Sequence, residues 1–200
     1  MHTLIALAAL FSAPASAADL GFQLSAELGS LRNTDPSYDL FSKSNVMPSR
    51  GLRVGVTLVD TLTIETGWHR VRRGLYEPDL DIQTAFFADE FILGPKISHG
   101  FAEVFYPYVA GHGVLMRGVM KFDDDSSNDR NPGQIKQTGV GLGLLTMGGV
   151  EFRSPTDAGK LAVSAHLEAG YGWFQTTDFG NLGSMKPGGF ALKGGLGLRM

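Results

Sequence analysis

The chain has 200 residues, 43% of them hydrophobic and 18% charged, which gives room for one domain and excludes a disordered, highly charged chain. Its formal net charge of -3, with Lys and Arg scattered along the sequence, gives no electrostatic footprint for nucleic acid. Cys 0 excludes disulfide staples, and Gly 27 is nearly twice the usual share.

The N-terminus reads as a processing signal. Leu4 to Phe11 is apolar, Pro14 breaks the run, and Ala15-Ser16-Ala17 offers the small residues that signal peptidase needs. Its n-region holds only the α-amino group and His2 as cationic groups. We expect residues 1–17 to be a signal peptide cleaved after Ala17, leaving 18–200 as one barrel domain. No later stretch is apolar for long enough to cross a membrane as a helix.

The mature chain opens with period-two alternation. Leu20, Phe22, Leu24, Ala26 and Leu28 share one face, and Gly21, Gln23, Ser25, Glu27 and Gly29 share the other. A second strand follows in Leu52, Val54, Val56 and Leu58, and a third in Leu62, Ile64, Thr66 and Trp68. The fourth is expected across Ile82 to Ile97, with a slip near Phe86-Phe87 that suggests a bulge. Tyr106 to Met120 makes the fifth, Gly139 to Arg153 the sixth, Leu161 to Trp173 the seventh and Phe190 to Met200 the eighth. Strands of about ten residues suit a tilted bilayer crossing. Connections alternate: Asn33 to Arg50, Arg73 to Leu80, Asp123 to Lys136 and Gln175 to Gly188 are long or polar, whereas Val59-Asp60-Thr61, Ser98 to Phe105 and Ser154 to Lys160 are shorter.

Bulky residues fill one face of these strands, and Gly, Ser, Thr, Ala and sparse charges fill the other. A soluble barrel would bury the bulky face, leaving the small one in water. An eight-stranded interior is too narrow for that face, and the bulky residues form too continuous a patch for a soluble surface. The polarity is therefore predicted to be inverted, apolar out and ionic in. Trp68, Tyr106, Tyr108, Tyr171 and Trp173 fall where an interfacial aromatic girdle sits.

The last eight residues, Lys193-Gly194-Gly195-Leu196-Gly197-Leu198-Arg199-Met200, resemble the C-terminal signal by which the barrel-assembly machinery recognises its clients. Lys193, Gly195, Leu198 and Met200 hold the signal positions, with Met where the usual last residue is Phe. Leu93-Gly94-Pro95-Lys96, followed by Tyr106-Pro107-Tyr108-Val109-Ala110-Gly111, looks like a hairpin of the small OmpA/OmpX-type outer-membrane proteins. The resemblance is one of pattern over nearly the whole mature chain. It implies an all-β, closed antiparallel up-and-down transmembrane barrel in the outer membrane of a Gram-negative bacterium, and no activity.

Glu27, Arg53, Glu65, His166, Glu168, Lys193 and Arg199 are expected to face the lumen and pair there, because an unpaired buried charge is costly. His112 and Arg117 differ in parity on one strand, so one must face outward unless a bulge intervenes. Ser164, His166 and Glu168 share a face, the residue types of a hydrolase, but alternation points them away from lipid and no G-x-S-x-G motif accompanies them. No enzyme is expected. Asp123 to Asp129 lacks the Gly and Glu of an EF-hand loop and reads as a solvated acidic loop. Tyr38, Phe41, Val46 and Met47 lend the first long loop an apolar character. Gly139-Val140-Gly141-Leu142-Gly143 has no Lys and no following helix for a phosphate site. No metal or cofactor is expected. Three functions remain open: a structural or surface-interaction barrel with displayed loops, a narrow porin-like conduit for small or hydrophobic solutes, and, less favoured, a lipid A-modifying enzyme. The expected partners are outer-membrane lipid and lipopolysaccharide, the barrel-assembly machinery, and surface ligands of the loops.

Overall fold

A computed structural model describes residues 20–36, 44–59, 61–77, 82–101, 103–124, 135–155 and 160–200. The expected signal peptide, Tyr38, Phe41 and the expected acidic loop from Asp125 onward lie outside these residues. Eight antiparallel strands close a barrel: β1 (Gly21–Asn33), β2 (Val46–Val59), β3 (Leu62–Glu77), β4 (Ile82–Ser98), β5 (Phe105–Asp124), β6 (Ile135–Arg153), β7 (Ala162–Phe174) and β10 (Gly189–Arg199). Between β7 and β10 a small hairpin of β8 (Thr177–Asp178) and β9 (Ser184–Met185) brackets a 3-10 turn, Gly180–Leu182. Each strand pairs with its sequence neighbour, and β10 pairs with β1 to close the sheet, so no edge is left unpaired.

The register fixes the barrel's shape. One circuit runs from Gly21 through Thr57, Thr63, Lys96, Ala110, Met147, Gly170 and Ala191, and returns to β1 at Leu31. That stagger of ten residues over eight strands tilts them by roughly 40° and leaves an interior just wide enough for side chains. Each residue then adds about 2.5 Å of height. β1, β2, β7 and β10 have 11 to 14 residues, whereas β3 to β6 have 16 to 20. One half of the wall therefore rises on the order of 10–15 Å above the other. The expected loop from Arg73 to Leu80 is mostly strand, because β3 and β4 pair as far as Glu77 and Ile82. The turns on the other side of the barrel stay level.

Outward polarity is as the alternation predicts in the lower barrel. Leu24, Val54, Leu142 and Leu167 are half exposed on the outer face, while Glu27, Arg53 and Glu168 are buried. From the short turns up to Leu52, Trp68, Phe91 and Leu115, no described outward residue of any strand is charged. This belt matches the apolar band of about 25 Å on outer-membrane barrels.

Three further expectations need correction. The β4 alternation does not slip at Phe86-Phe87: pairing with β3 is continuous, Phe86 is fully buried and Phe87 points out. The register shift lies instead between Thr57 and Val59, beside the tight β2–β3 turn. Phe86 looked out of phase only because the interior was assumed polar throughout. Tyr108 is buried in the lumen and Tyr106 shares its parity, so the girdle keeps Trp68, Tyr171 and Trp173 alone. The segment from Gln175 to Gly188, expected to be displayed, folds into the barrel mouth.

Candidate functional site: a filled lumen in two layers

All eight barrel strands send a side chain into the lower lumen, and Arg53 on β2 is its hub. The guanidinium Nε lies 2.7 Å from Glu27 Oε1, and Nη2 donates to Glu27 Oε2 at 3.0 Å. Both terminal nitrogens also donate to Glu168, at 2.5 and 3.1 Å, and Nη1 donates to Glu65 at 3.2 Å. One planar cation thus bridges carboxylates from β1, β3 and β7, using the fork geometry that lysine lacks. Its side chain is 2% exposed, so little water competes for these bonds.

Around the hub the partners interlock. Lys96 on β4 reaches Glu65 at 2.8 Å, Glu151 at 3.1 Å and the Gln23 carbonyl at 3.2 Å, and sits 4.9 Å from the Tyr108 ring centroid. The Tyr108 hydroxyl donates to Glu168 at 2.7 Å. His112 Nε2 lies 3.2 Å from Glu65, and Arg153 pairs with Glu151 at 3.0 Å. Lys193 on β10 approaches His69 Nδ1 at 3.4 Å, and His69 Nε2 contacts Glu27 at 2.7 Å, so the ring in this chain of bonds carries its proton on Nε2. Arg53, Glu27, Glu65, Glu168 and Lys96 each meet several partners, and deleting one of these strands the rest in low dielectric.

The seven lumen charges expected from the sequence all point inward. Glu27, Arg53, Glu65 and Glu168 meet directly, His166 lies 3.2 Å from Glu27, Lys193 joins through His69, and Arg199 stands lower, half-buried and bonded to Thr57 at 3.2 Å. His112 is fully buried and Arg117 exposed, which answers their conflict of parity without a bulge. Sequence reasoning missed Lys96, Glu151, His69, Glu90 and Tyr108 as lumen residues. Parity would have found Glu151, between the outward Val150 and Phe152. His69 needed β3 to run past Trp68, and Lys96 shares its face with apolar Ile92 and Phe86, so no polar stripe marked it.

Ser164, His166 and Glu168 are buried on one face, yet no hydrogen bond joins Ser164 to His166, and Glu168 is bonded to Arg53 and Tyr108. Glu27, His166 and Glu168 bring ligand atoms within 4.8 Å of one another, a spacing that suits a cation. The Arg53 guanidinium already lies against both carboxylates, so the donor set is neutralised from within. Of the C-terminal signal positions, Lys193 and Gly195 face the lumen, whereas Leu198 and Met200 face out. A Cβ on Gly195 would press into the His166 ring at 2.6 Å.

Above this ionic layer the interior turns apolar. Leu31, Met47, Val71, Phe86, Met116, Met120, Phe174 and Ala191 form a buried cluster that the β8–β9 hairpin completes with Phe179 and Met185. Phe179 meets Phe86 edge-on at 6.2 Å. The hairpin turns through Gly180 and Gly183, whose φ of 60° and 84° suit glycine. The carboxylate of Asp35, just past the end of β1, accepts from the Lys186 N–H at 2.6 Å, and the Gln175 backbone N–H donates to the Leu142 carbonyl on β6 at 2.9 Å. Gly118 and Gly139 make room for the hairpin: a Cβ on either would meet Phe179 or Asp178 within 3 Å. The alternating glycines of β6 are thus a seat for the hairpin.

The solved structures similar to this one are barrels of the same kind. Ail, the attachment invasion locus protein of Yersinia pestis, superposes with a TM-score of 0.51 and 15% identity over 92% of this chain and 99% of that one. The chain has the fold of the small outer-membrane β-barrels. A major outer membrane protein from Thermus thermophilus (TM-score 0.47, 13% identity, 90% of this chain and 98% of that one) and Neisserial surface protein A (0.45, 17%, 90% and 96%) are similar at a lower level. No protein-family model and no curated protein sequence matches the chain. At these identities the likeness is one of fold.

Proposed function

We propose that this chain is an outer-membrane barrel, closed to solutes, that acts through the surface it displays rather than through a pore or a catalytic centre. The uncharged outward belt supports a lipid setting, since strands can cross hydrocarbon only as a closed barrel. One observation carries the function: the barrel axis is occupied by Arg53 and the carboxylates of three other strands, and the apolar cluster with its hairpin lies above them. An ion or small solute would have to break several mutually dependent pairs and lift the hairpin. What remains available to partners is the high wall of β3 to β6 and the connections at its level. The outer membrane of a Gram-negative bacterium, its lipids and the assembly machinery that would read the β10 terminus belong to the same reading, as do surface ligands. The name of Ail, a protein of similar fold, fits such a role.

The test is conductance in planar bilayers, with altered gel mobility of unheated sample as the control for folding. Folded protein is expected to pass no stepwise current. Steady single-channel steps from folded protein would replace this reading with the narrow conduit.

A further inference from the structure

Inside the apolar belt the outer wall is indented around β5, β6 and β7. The arginine row, the cross-strand partners Arg50, Arg70, Asp89 and Arg117, marks the belt's upper border on β2 to β5. Gly111 lies six residues beneath Arg117 on β5, and Pro95 six beneath Asp89 on β4. At about 2.5 Å of height per residue, both sit roughly 15 Å under the row, near the belt's middle depth. There Gly111, Thr146, Gly148 and Ala169 floor a groove of about 690 Å³, with Val109 and Tyr171 among its rims.

Two features set this groove apart. Its glycines hold space open: among the described strand glycines, only at Gly111 and Gly148 would a Cβ meet no atom within 4 Å. The groove also holds hydrogen-bonding groups that lack partners. The β4–β5 register runs from Ile82 to Leu93 and resumes at Lys96, but Gly94 and Pro95 drop out between them. Proline has no N–H, so the Gly111 carbonyl across the strand pair loses its ladder donor. Thr146 is the partner of Gly111 on its other side. The outward Thr66 hydroxyl is satisfied by the Ile92 carbonyl at 3.0 Å, whereas the Thr146 hydroxyl makes no hydrogen bond among the described residues. A carbonyl and a hydroxyl left open in hydrocarbon are costly, and plain acyl chains cannot satisfy them.

We propose that this groove binds a membrane lipid whose acyl chain carries a hydroxyl near its middle. The proposal rests on the membrane reading above. The ligand hydroxyl donates to the Gly111 carbonyl and accepts from Thr146, while the chain fills the space over Gly148 and Ala169. No charged side chain lines the groove, so recognition falls on the chain and not on a headgroup. The groove has the size of a small-ligand site, well short of a face for a second barrel.

The test titrates phosphatidylcholines bearing a stearoyl, a 2-hydroxystearoyl or a 12-hydroxystearoyl chain against the full barrel in nanodiscs, with bound lipid counted by native mass spectrometry. The 12-hydroxy chain is expected to be retained about fivefold better than the other two, the worth of one hydrogen bond. Gly148→Leu, which fills the groove without a clash, should lose retention of all three. The combined variant P95A/T146V restores the ladder donor and removes the hydroxyl, and should retain the three chains equally. Equal retention by the wild-type barrel would overturn the proposal, as would undiminished retention by Gly148→Leu or an unchanged preference in P95A/T146V. Barrel dimers free of the added lipid would assign the groove to a second copy and overturn it too. The wild-type comparison decides the matter even if a variant does not fold. Failure of wild-type protein to insert at all would count against the membrane reading instead.

Discussion

The lower and upper halves of this barrel solve the same packing problem with opposite chemistry. Below the arginine row the outside is apolar and the inside holds Arg53, Glu27, Glu65, Glu168 and Lys96. Along and above the cross-strand row of Arg50, Arg70, Asp89 and Arg117 the outside carries Arg70, Arg72 and Arg117, and the inside holds Phe86, Met116, Met120, Phe179 and Met185. Where lipid surrounds the wall, burying an apolar interior gains nothing over contact with acyl chains, so ionic pairs can hold strands in register. Where water surrounds the wall, only a hydrophobic core drives the strands together. The protein is inverted below and conventional above, and the change follows one row of cross-strand partners that climbs with the strand tilt from β2 to β5.

Substitutions that violate the rule of each half should therefore differ in size. The largest effect is expected for Arg53→Ala, which strands three carboxylates in the lower lumen and should cost at least about 3–5 kcal/mol in urea unfolding from detergent. Arg53→Lys should recover only part of this, since an ammonium cannot bridge three carboxylates in one plane. Val54→Lys, one position along the strand but facing out, should cost about 2–4 kcal/mol in vesicles. An equal loss in Val140→Lys, outward on the upper half, would erase the distinction between the two halves. In the upper core Met185→Ala should cost about 2–3 kcal/mol, read as faster proteolysis of the Gln175 to Gly188 segment, while the lower barrel keeps its gel mobility. The smallest effect belongs to the outer face: breaking the exposed pair of Arg70 and Asp89, 2.8 Å apart, with Asp89→Asn should leave the urea unfolding midpoint nearly unchanged.

Much of this plan was legible in the sequence. A period of two survives every detail of packing, so strand identity and the inward facing of Glu27, Arg53, Glu65 and Glu168 followed from Leu24, Val54, Ile64 and Leu167. What parity does not carry is height. Phe86 and Lys96 lie on the same face of β4, one in the apolar layer and one in the ionic layer, and no local pattern distinguishes them. The stagger of ten residues decides which side chains meet, and it emerges only from the closed register. The hairpin was illegible for a related reason: Phe179 and Met185 lie in a segment of Gly, Thr, Ser, Asn, Asp and Pro that reads as a surface loop, and their partners are on β1, β4 and β6. Gly118, Gly139 and Gly141 were its only trace, and small residues on a lumen face have a simpler explanation.

The most direct test exploits the absence of cysteine. Single substitutions Val54→Cys and Val140→Cys, both outward, are labelled with an environment-sensitive fluorophore in vesicles whose acyl chains carry a quencher. The label at Val54 is expected to be quenched by the acyl chains and protected from aqueous iodide, and the label at Val140 the reverse. Iodide reaching both positions equally would show that water, not lipid, bathes the lower wall, and the two-layered barrel would lose its physical basis.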